Sequence, residues 1–221
     1  MSDGRVIRVE KDILSKNDDI ARLNRSRLAA ASIASVNLVS SPGSGKTTLL
    51  VKTLKDMKSK ARMAVIEGDQ ETDHDAERIA ETGVPVVQIN TVSACHLEAS
   101  MVDRALSGMN LDGVEMLFIE NVGNLVCPAS YDLGERAKVV VISVTEGDDK
   151  PVKYPKMFRV SSAMVISKTD LLPYVDFDVY RAISYARKIN PALKIFQLSA
   201  KTGEGLEGWY DYLLSLRDEA L

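Results

Sequence analysis

Nine consecutive residues, Ser40-Ser41-Pro42-Gly43-Ser44-Gly45-Lys46-Thr47-Thr48, constrain this chain more than any other stretch. The apolar run Val36-Asn37-Leu38-Val39 leads into them and Leu49-Leu50-Val51 leads out. That is the pattern of a strand, a tight loop and a helix start. A phosphate-cradling loop asks for glycine, four residues, then Gly-Lys-Ser/Thr. Gly43, Gly45, Lys46 and Thr47 fit, and Ser40 stands where the first glycine would be. The physics tolerates serine there. A triphosphate needs converging backbone N–H groups, a helix N-terminus facing its charge, and a lysine on its outer oxygens. Gly43 and Gly45 let the backbone come close, Ser44 and Thr48 flank the cradle, and Thr47 offers a hydroxyl to Mg²⁺.

The remainder of the chain reads as the rest of such a domain. Short apolar runs end at Glu67, Asn90, Glu120, Val144, Ile166 and Leu198, and helical stretches lie between most of them, as at 75–81, 94–106, 178–188 and 206–216. Apolar strands alternating with helices predict a mostly parallel sheet buried on both faces. Seven of them make a doubly wound α/β P-loop NTPase domain, with ligand loops at the strand carboxyl ends. We assign residues 34–221 to this domain and residues 1–33 to an N-terminal helical extension. In that extension Ile13, Leu14, Ile20, Leu23 and Leu28 predict a helix over 9–31 that covers an edge of the sheet. The stretch 146–154 reads as a polar, mobile loop.

Bulk properties exclude several classes. The 221 residues are 45% hydrophobic and 27% charged, ordinary for a soluble domain. With a net charge of −3 and no block of Lys/Arg, nucleic acid is not an expected partner. Two cysteines exclude a disulfide scaffold. No stretch approaches the roughly 18 apolar residues of a membrane span, and the first residues open no apolar signal. No membrane association and a cytoplasmic location are therefore expected.

Four later segments suit a nucleotide site. Asp69, Asp73 and Asp75 follow the second strand, and one of these acids would hold Mg²⁺ or orient a water; helix capping is the alternative. Glu120-Asn121-Val122-Gly123 ends the fourth strand and resembles the switch II pattern of GTPases. There the acid reaches the metal's shell and the Gly123 N–H a γ-phosphate, so hydrolysis would move 122–128. Ser167-Lys168-Thr169-Asp170 resembles the guanine-specificity motif, with serine in place of asparagine. The Asp170 carboxylate would accept from the guanine N1–H and N2 amine, with the Lys168 stem along the base. Ser199-Ala200-Lys201 after the last strand would offer N–H groups to the guanine oxygen. The catalytic candidates are Lys46, Asp69, Asp75 and Glu120, and the magnesium ligands Thr47, Asp69 and Glu120.

A second constellation is Cys95-His96, which reads as the opening of a helix, together with Cys127 inside the switch loop. Thiolates and imidazole are ligands that zinc, nickel and copper prefer. Three soft ligands fall one short of a four-coordinate structural site, so water, another residue or a partner chain would complete it. Two small buried thiols are the plainer alternative.

Taken together, the P-loop run, Gly68-Asp69-Gln70, Asn90-Thr91, Cys95-His96-Leu97, Glu120-Asn121-Val122-Gly123-Asn124-Leu125-Val126-Cys127-Pro128 and Thr145-Glu146-Gly147-Asp148-Asp149-Lys150 resemble the HypB family. These are GTPases that help insert nickel into [NiFe]-hydrogenase, related to urease G and to the signal-recognition GTPases. The likeness implies a GTP-dependent homodimer with Ni²⁺ or Zn²⁺ at Cys95, His96 and Cys127 across its interface. It also implies the nickel chaperone HypA and the hydrogenase large-subunit precursor as partners. Residues 1–10 hold neither the cysteine-rich motif nor the histidine tract of some family members, so no N-terminal nickel store is expected. A urease-type GTPase, or a metal-binding module with a relic GTP site, are the alternatives.

Overall fold

The computed structural model describes residues 5–69, 74–91 and 94–221, with the backbone alone described at 5–11 and 69. Seven strands, β1 (Ala34–Ser40), β2 (Met63–Asp69), β3 (Val86–Asn90), β4 (Met116–Glu120), β5 (Ala137–Ser143), β6 (Ala163–Ser167) and β7 (Lys194–Gln197), form one sheet in the order β3-β2-β4-β1-β5-β6-β7. Every pairing is parallel, as the apolar strand pattern predicts. The helices are α1 (Arg5–Ala30), α2 (Lys46–Met57), α3 (His74–Ala80), α4 (Ala99–Gly108), α5 (Lys150–Lys153), α6 (Pro155–Val160), α7 (Val179–Ile189) and α8 (Leu206–Asp218). Because β1 lies between β4 and β5, its carboxyl end opens at the crossover point where α/β sheets place their ligands.

Strand alternation sorts the core. Val36 and Leu38 of β1, Val65 of β2, Phe118 of β4 and Val139 of β5 face α2 and α8, against Leu50, Leu54, Trp209 and Leu213. The opposite face carries two clusters. Val140, Ile142, Met164 and Ile166 pack under α6 and α7. Ala64, Ile66, Leu117 and Ile119 pack under α1 and α4. Each fully buried aliphatic side chain contributes about 1.5–3 kcal/mol of transfer free energy.

Three local readings are corrected. Helix α1 packs on α4 and the face of the sheet rather than on an edge. It reaches the central strand β1 through only 31–33, a link too short to lead in from an edge. Its buried stripe is Asn17, Ala21, Asn24 and Leu28, whereas Ile13 and Leu23 are 48% and 68% exposed. The asparagines face inward because each bonds backbone: Asn17 Nδ2 donates to Asp132 O (2.8 Å), Asn17 Oδ1 accepts from Ala99 N (2.9 Å), and Asn24 Nδ2 donates to Ala99 O and Leu133 O.

The second correction concerns Cys95 and His96, which precede α4 on a loop instead of opening the helix. The Leu97 N–H donates to Asn121 and the Ala99 N–H to Asn17, so other elements hold this segment until α4 starts. The third concerns 146–154, which is built rather than loose. Glu146 Oε2 accepts from Ser143 N (2.9 Å), Lys150 Nζ donates to Ser41 Oγ (2.9 Å), Asp148 pairs with Arg181, and α5 occupies part of it.

Candidate nucleotide and metal site

Gly45 caps α2 with φ of 87°, a left-handed conformation that only glycine adopts without strain. That turn puts Lys46 and Thr47 in the first helical turn, at the carboxyl end of β1. Lys46 Nζ lies 2.5 Å from Glu120 Oε1, and Thr47 Oγ1 lies 2.5 Å from the same oxygen and 2.8 Å from Asp75 Oδ2. A threonine hydroxyl has one proton to give, so it cannot satisfy both carboxylates. Glu120 is 1% exposed and its other oxygen, Oε2, is buried with no hydrogen-bond partner among the described residues. An all-oxygen donor set with a surplus of acceptors suits a hard divalent cation. Asp69 ends β2 opposite Asn90, but its side chain, like all of Asp73, lies outside the described residues.

Lys46, Thr47 and Asp75 line a cavity of about 520 Å³ together with 40–45, Thr48 and Gly123. A Cβ on Gly123 would stand 3.2 Å from Pro42, so the 122–128 loop abuts the P-loop and a side chain there would need Pro42 to give by a few tenths of an ångström. Three further residues line this cavity to which sequence reasoning gave no role of their own: Glu67, Asn121 and Arg78. Glu67 is the register partner of Glu120 across β2 and β4. Arg78 bonds Asp75 (2.9 Å) and Thr48 Oγ1 (3.1 Å), and its place three residues after Asp75 on one helix was a usable signal.

A second cavity, about 230 Å³, is lined by Lys168, Asp170, Leu171, Ser199, Ala200 and Lys201, and it shares Gly45, Thr48 and Lys168 with the first. Lys168 has φ of 58°, and its Nζ donates to Gly43 O at 2.6 Å, so its stem lies over the P-loop. Ser167 Oγ donates to Ser44 O at 2.6 Å, tying β6 to the same loop. Ser199 Oγ donates to Asp170 Oδ1 at 2.6 Å and accepts from Lys201 N at 3.2 Å. The Ser199 N–H is bonded to Glu204 O, so two of the three N–H groups of this segment are committed within the loop.

Cys95, His96 and Cys127 also converge. Their ligand atoms lie within 4.8 Å of one another, with the two sulfurs 3.0 Å apart and His96 Nδ1 3.7 Å from Cys95 Sγ. Both cysteines are free. The His96 ring packs against Tyr131 with centroids 4.0 Å apart, and its buried Nε2 has no hydrogen-bond partner among the described residues. Burial lowers the imidazole below its ordinary pKa, against the opposing pull of Glu98, which favours the neutral, ligating form. The hydrogen bond to Cys95 and then burial raise the Cys127 thiol, so a metal would displace a proton there. His74, 86% exposed on α3, pairs with Glu77 instead of joining this group.

Residues 34–197 match the family model described as the CobW/HypB/UreG nucleotide-binding domain. The chain belongs to that family. Within it the resemblance to HypB extends over nearly all of this chain. The hydrogenase maturation factor HypB of Azotobacter chroococcum is 56% identical over 214 residues, covering 96% of this chain and 70% of that protein. The crystal structure of HypB from Helicobacter pylori in complex with nickel superposes with a TM-score of 0.88 at 42% identity, over 92% of this chain and 96% of that one. The signal recognition particle 54 kDa protein of Aeropyrum pernix, in complex with GDP, shares only the fold, with a TM-score of 0.56 at 15% identity over 76% of this chain and 42% of that one. This HypB-family chain is thus a P-loop NTPase with a nucleotide-binding domain. Among the described residues no helix is long and apolar enough to cross a membrane.

Proposed function

We propose that this chain is a GTP-hydrolysing metallochaperone that assists nickel insertion during [NiFe]-hydrogenase maturation. One observation carries the reading: three soft ligands converge, and one of them, Cys127, lies on the loop that begins at the acid beside the P-loop lysine. The nickel-bound Helicobacter pylori relative supports the choice of metal, although Zn²⁺ suits the same ligands.

In this reading Asp170 and Lys168 select guanine, and Gly43 to Thr48 hold the phosphates. Lys46 exchanges Glu120 for phosphate oxygens and stabilises the charge that develops as GTP and water give GDP and phosphate. Thr47 and Glu120, with Asp75 and Asp69 as further carboxylates, would hold Mg²⁺, which would supply positive charge against the phosphates. Gly123 senses the γ-phosphate and shifts the loop that carries Cys127. A second copy of the chain completes the metal shell when GTP drives dimerisation. HypA and the hydrogenase large-subunit precursor are its donor and recipient, in the cytoplasm.

Nickel titrations in the GDP state and with a non-hydrolysable GTP analogue, beside a GTP turnover assay, test this. We expect turnover, nickel binding that Cys95→Ala or Cys127→Ala abolishes, and at least about 5-fold between the two states, the low end of typical couplings. Absence of turnover refutes the GTPase reading; absence of nickel binding refutes the metallochaperone.

A further inference from the structure

A buried polar seam divides the two apolar clusters on the α1/α4/α6/α7 face of the sheet. Asn37 of β1 and Lys138 of β5 are register partners, flanked by apolar side chains, and both are buried with Glu135. Asn37 Nδ2 donates to Glu135 Oε1 at 3.0 Å, and Lys138 Nζ lies 3.3 Å from that oxygen. The Lys138 ammonium also donates to Pro128 O and Tyr131 O, both at 2.9 Å, directly after Cys127. At the other end of the seam Asn121 Nδ2 makes a long contact of 3.4 Å to Asn37 Oδ1. Burying charge in this way is costly compared with an apolar core, and it adds little stability by itself.

Asn121 is the node. It is 1% exposed and immediately follows Glu120. Its single Oδ1 accepts two backbone N–H groups: Val122, one residue before Gly123, at 3.0 Å, and Leu97, one residue after His96, at 3.1 Å. One oxygen therefore clamps the switch segment to the Cys95-His96 segment. A second tie runs the other way, from Asn124 Nδ2 to Cys95 O at 3.3 Å. These bonds leave little room for the switch backbone to move without moving the segment that carries Cys95 and His96.

We infer that Asn121 is a positioning residue that couples the nucleotide state to the geometry of the metal ligands, through the two N–H groups held on its Oδ1. This rests on the proposed nickel function and deepens it. Cys127 is not the sole moving ligand: the Cys95-His96 loop follows the switch, while Lys138 braces the segment after Cys127 from the sheet.

The experiment compares nickel affinity in the GDP state and with a non-hydrolysable GTP analogue, at saturating nucleotide, for the intact wild-type chain, Asn121→Ala and Asn37→Ala. Asn37→Ala removes buried hydrogen bonds of the same kind without touching either clamped N–H, and controls for lost stability. We expect the wild-type ratio of at least about 5-fold to fall to about 2-fold or less in Asn121→Ala and to persist in Asn37→Ala. Asn121→Ser, whose hydroxyl is too short to span both donors, should behave like Asn121→Ala and serves if the alanine variant does not fold. Circular dichroism and a cooperative melt confirm folding. A wild-type ratio retained in Asn121→Ala or Asn121→Ser overturns the inference, as does an equal loss in Asn37→Ala. A ratio near one in the wild type itself overturns the underlying coupling instead.

Discussion

Lys46 Nζ stands 2.5 Å from Glu120 Oε1, so the P-loop cation and the acid that ends β4 neutralise one another at the carboxyl edge of the sheet. The pair links the two segments that any nucleotide-dependent movement must involve.

Lys46→Ala is expected to lower GTP turnover by at least roughly 10²-fold, the scale of losing one preorganised charge stabiliser. It also leaves Glu120 buried without its cation, which costs about 3–5 kcal/mol of stability in the absence of nucleotide. The double variant Lys46→Ala/Glu120→Gln should recover stability but not turnover. Thermal melting and phosphate release separate the two effects; wild-type turnover in Lys46→Ala would show that the loop is not the catalytic P-loop.

Base choice should reside in Asp170. The carboxylate of Asp170 holds the Ser199 hydroxyl through Oδ1, a bond that an asparagine carbonyl can keep. Asp170→Asn is therefore expected to fold normally, to lose GTP and to gain xanthosine triphosphate, because an amide donates to the 2-oxo group that a carboxylate repels. Competition between the two nucleotides reads this directly. An unchanged preference for GTP would move base recognition elsewhere.

The buried stripe of α1 gives a third expectation. Asn24→Ala removes the donor to Ala99 O and Leu133 O, leaving both carbonyls buried. It should cost about 2–6 kcal/mol in urea denaturation, given about 1–3 kcal/mol for each of the two unsatisfied groups. Leu23→Ala, at a site 68% exposed, should change stability by less than about 0.5 kcal/mol. Reversal of that order would restore the apolar-stripe reading.

Acid sensitivity supplies the fourth. The Arg181 guanidinium beside Asp148 holds its carboxyl below the ordinary value, and the Asp178 N–H adds to this at 3.1 Å. The folded pKa is lower than the unfolded one, so the pair's contribution is present above the unfolded value of about 3.9 and is lost as pH falls through the folded value. Asp148→Asn should thus be less stable than wild type at neutral pH, and the gap should shrink in strong acid. A gap that is constant from neutrality to acid would rule out the ion pair as its cause.

Much of this site was legible because its chemistry is local. Gly43, Gly45, Lys46 and Thr47 are adjacent in the chain, and a strand before and a helix after orient them without reference to anything distant. The same holds for Lys168 and Asp170, two residues apart at a strand end. Apolar strands announced a parallel sheet because burial on both faces leaves no polar alternation. The HypB resemblance rested on runs of this kind.

Where polar side chains take core positions, the local pattern misled. Asn17 and Asn24 are inward-facing only because carbonyls of distant segments meet them, and a count of apolar residues along α1 cannot register that. Cys95 and His96 sit on a loop because Asn121 and Asn17 take the N–H groups of Leu97 and Ala99, bonds spanning 24 and 82 residues of chain. Asn121 itself read as part of a motif; only the tertiary structure shows its one oxygen between two segments. The sequence by itself determined the seven strands, their parallel pairing and the residue types of the phosphate cradle, since backbone geometry and burial act at short range. Which carboxylate faces Lys46, and which loop shares a hydrogen bond with the segment after Cys95 and His96, was decided only when strand order brought β4 beside β1 and β2.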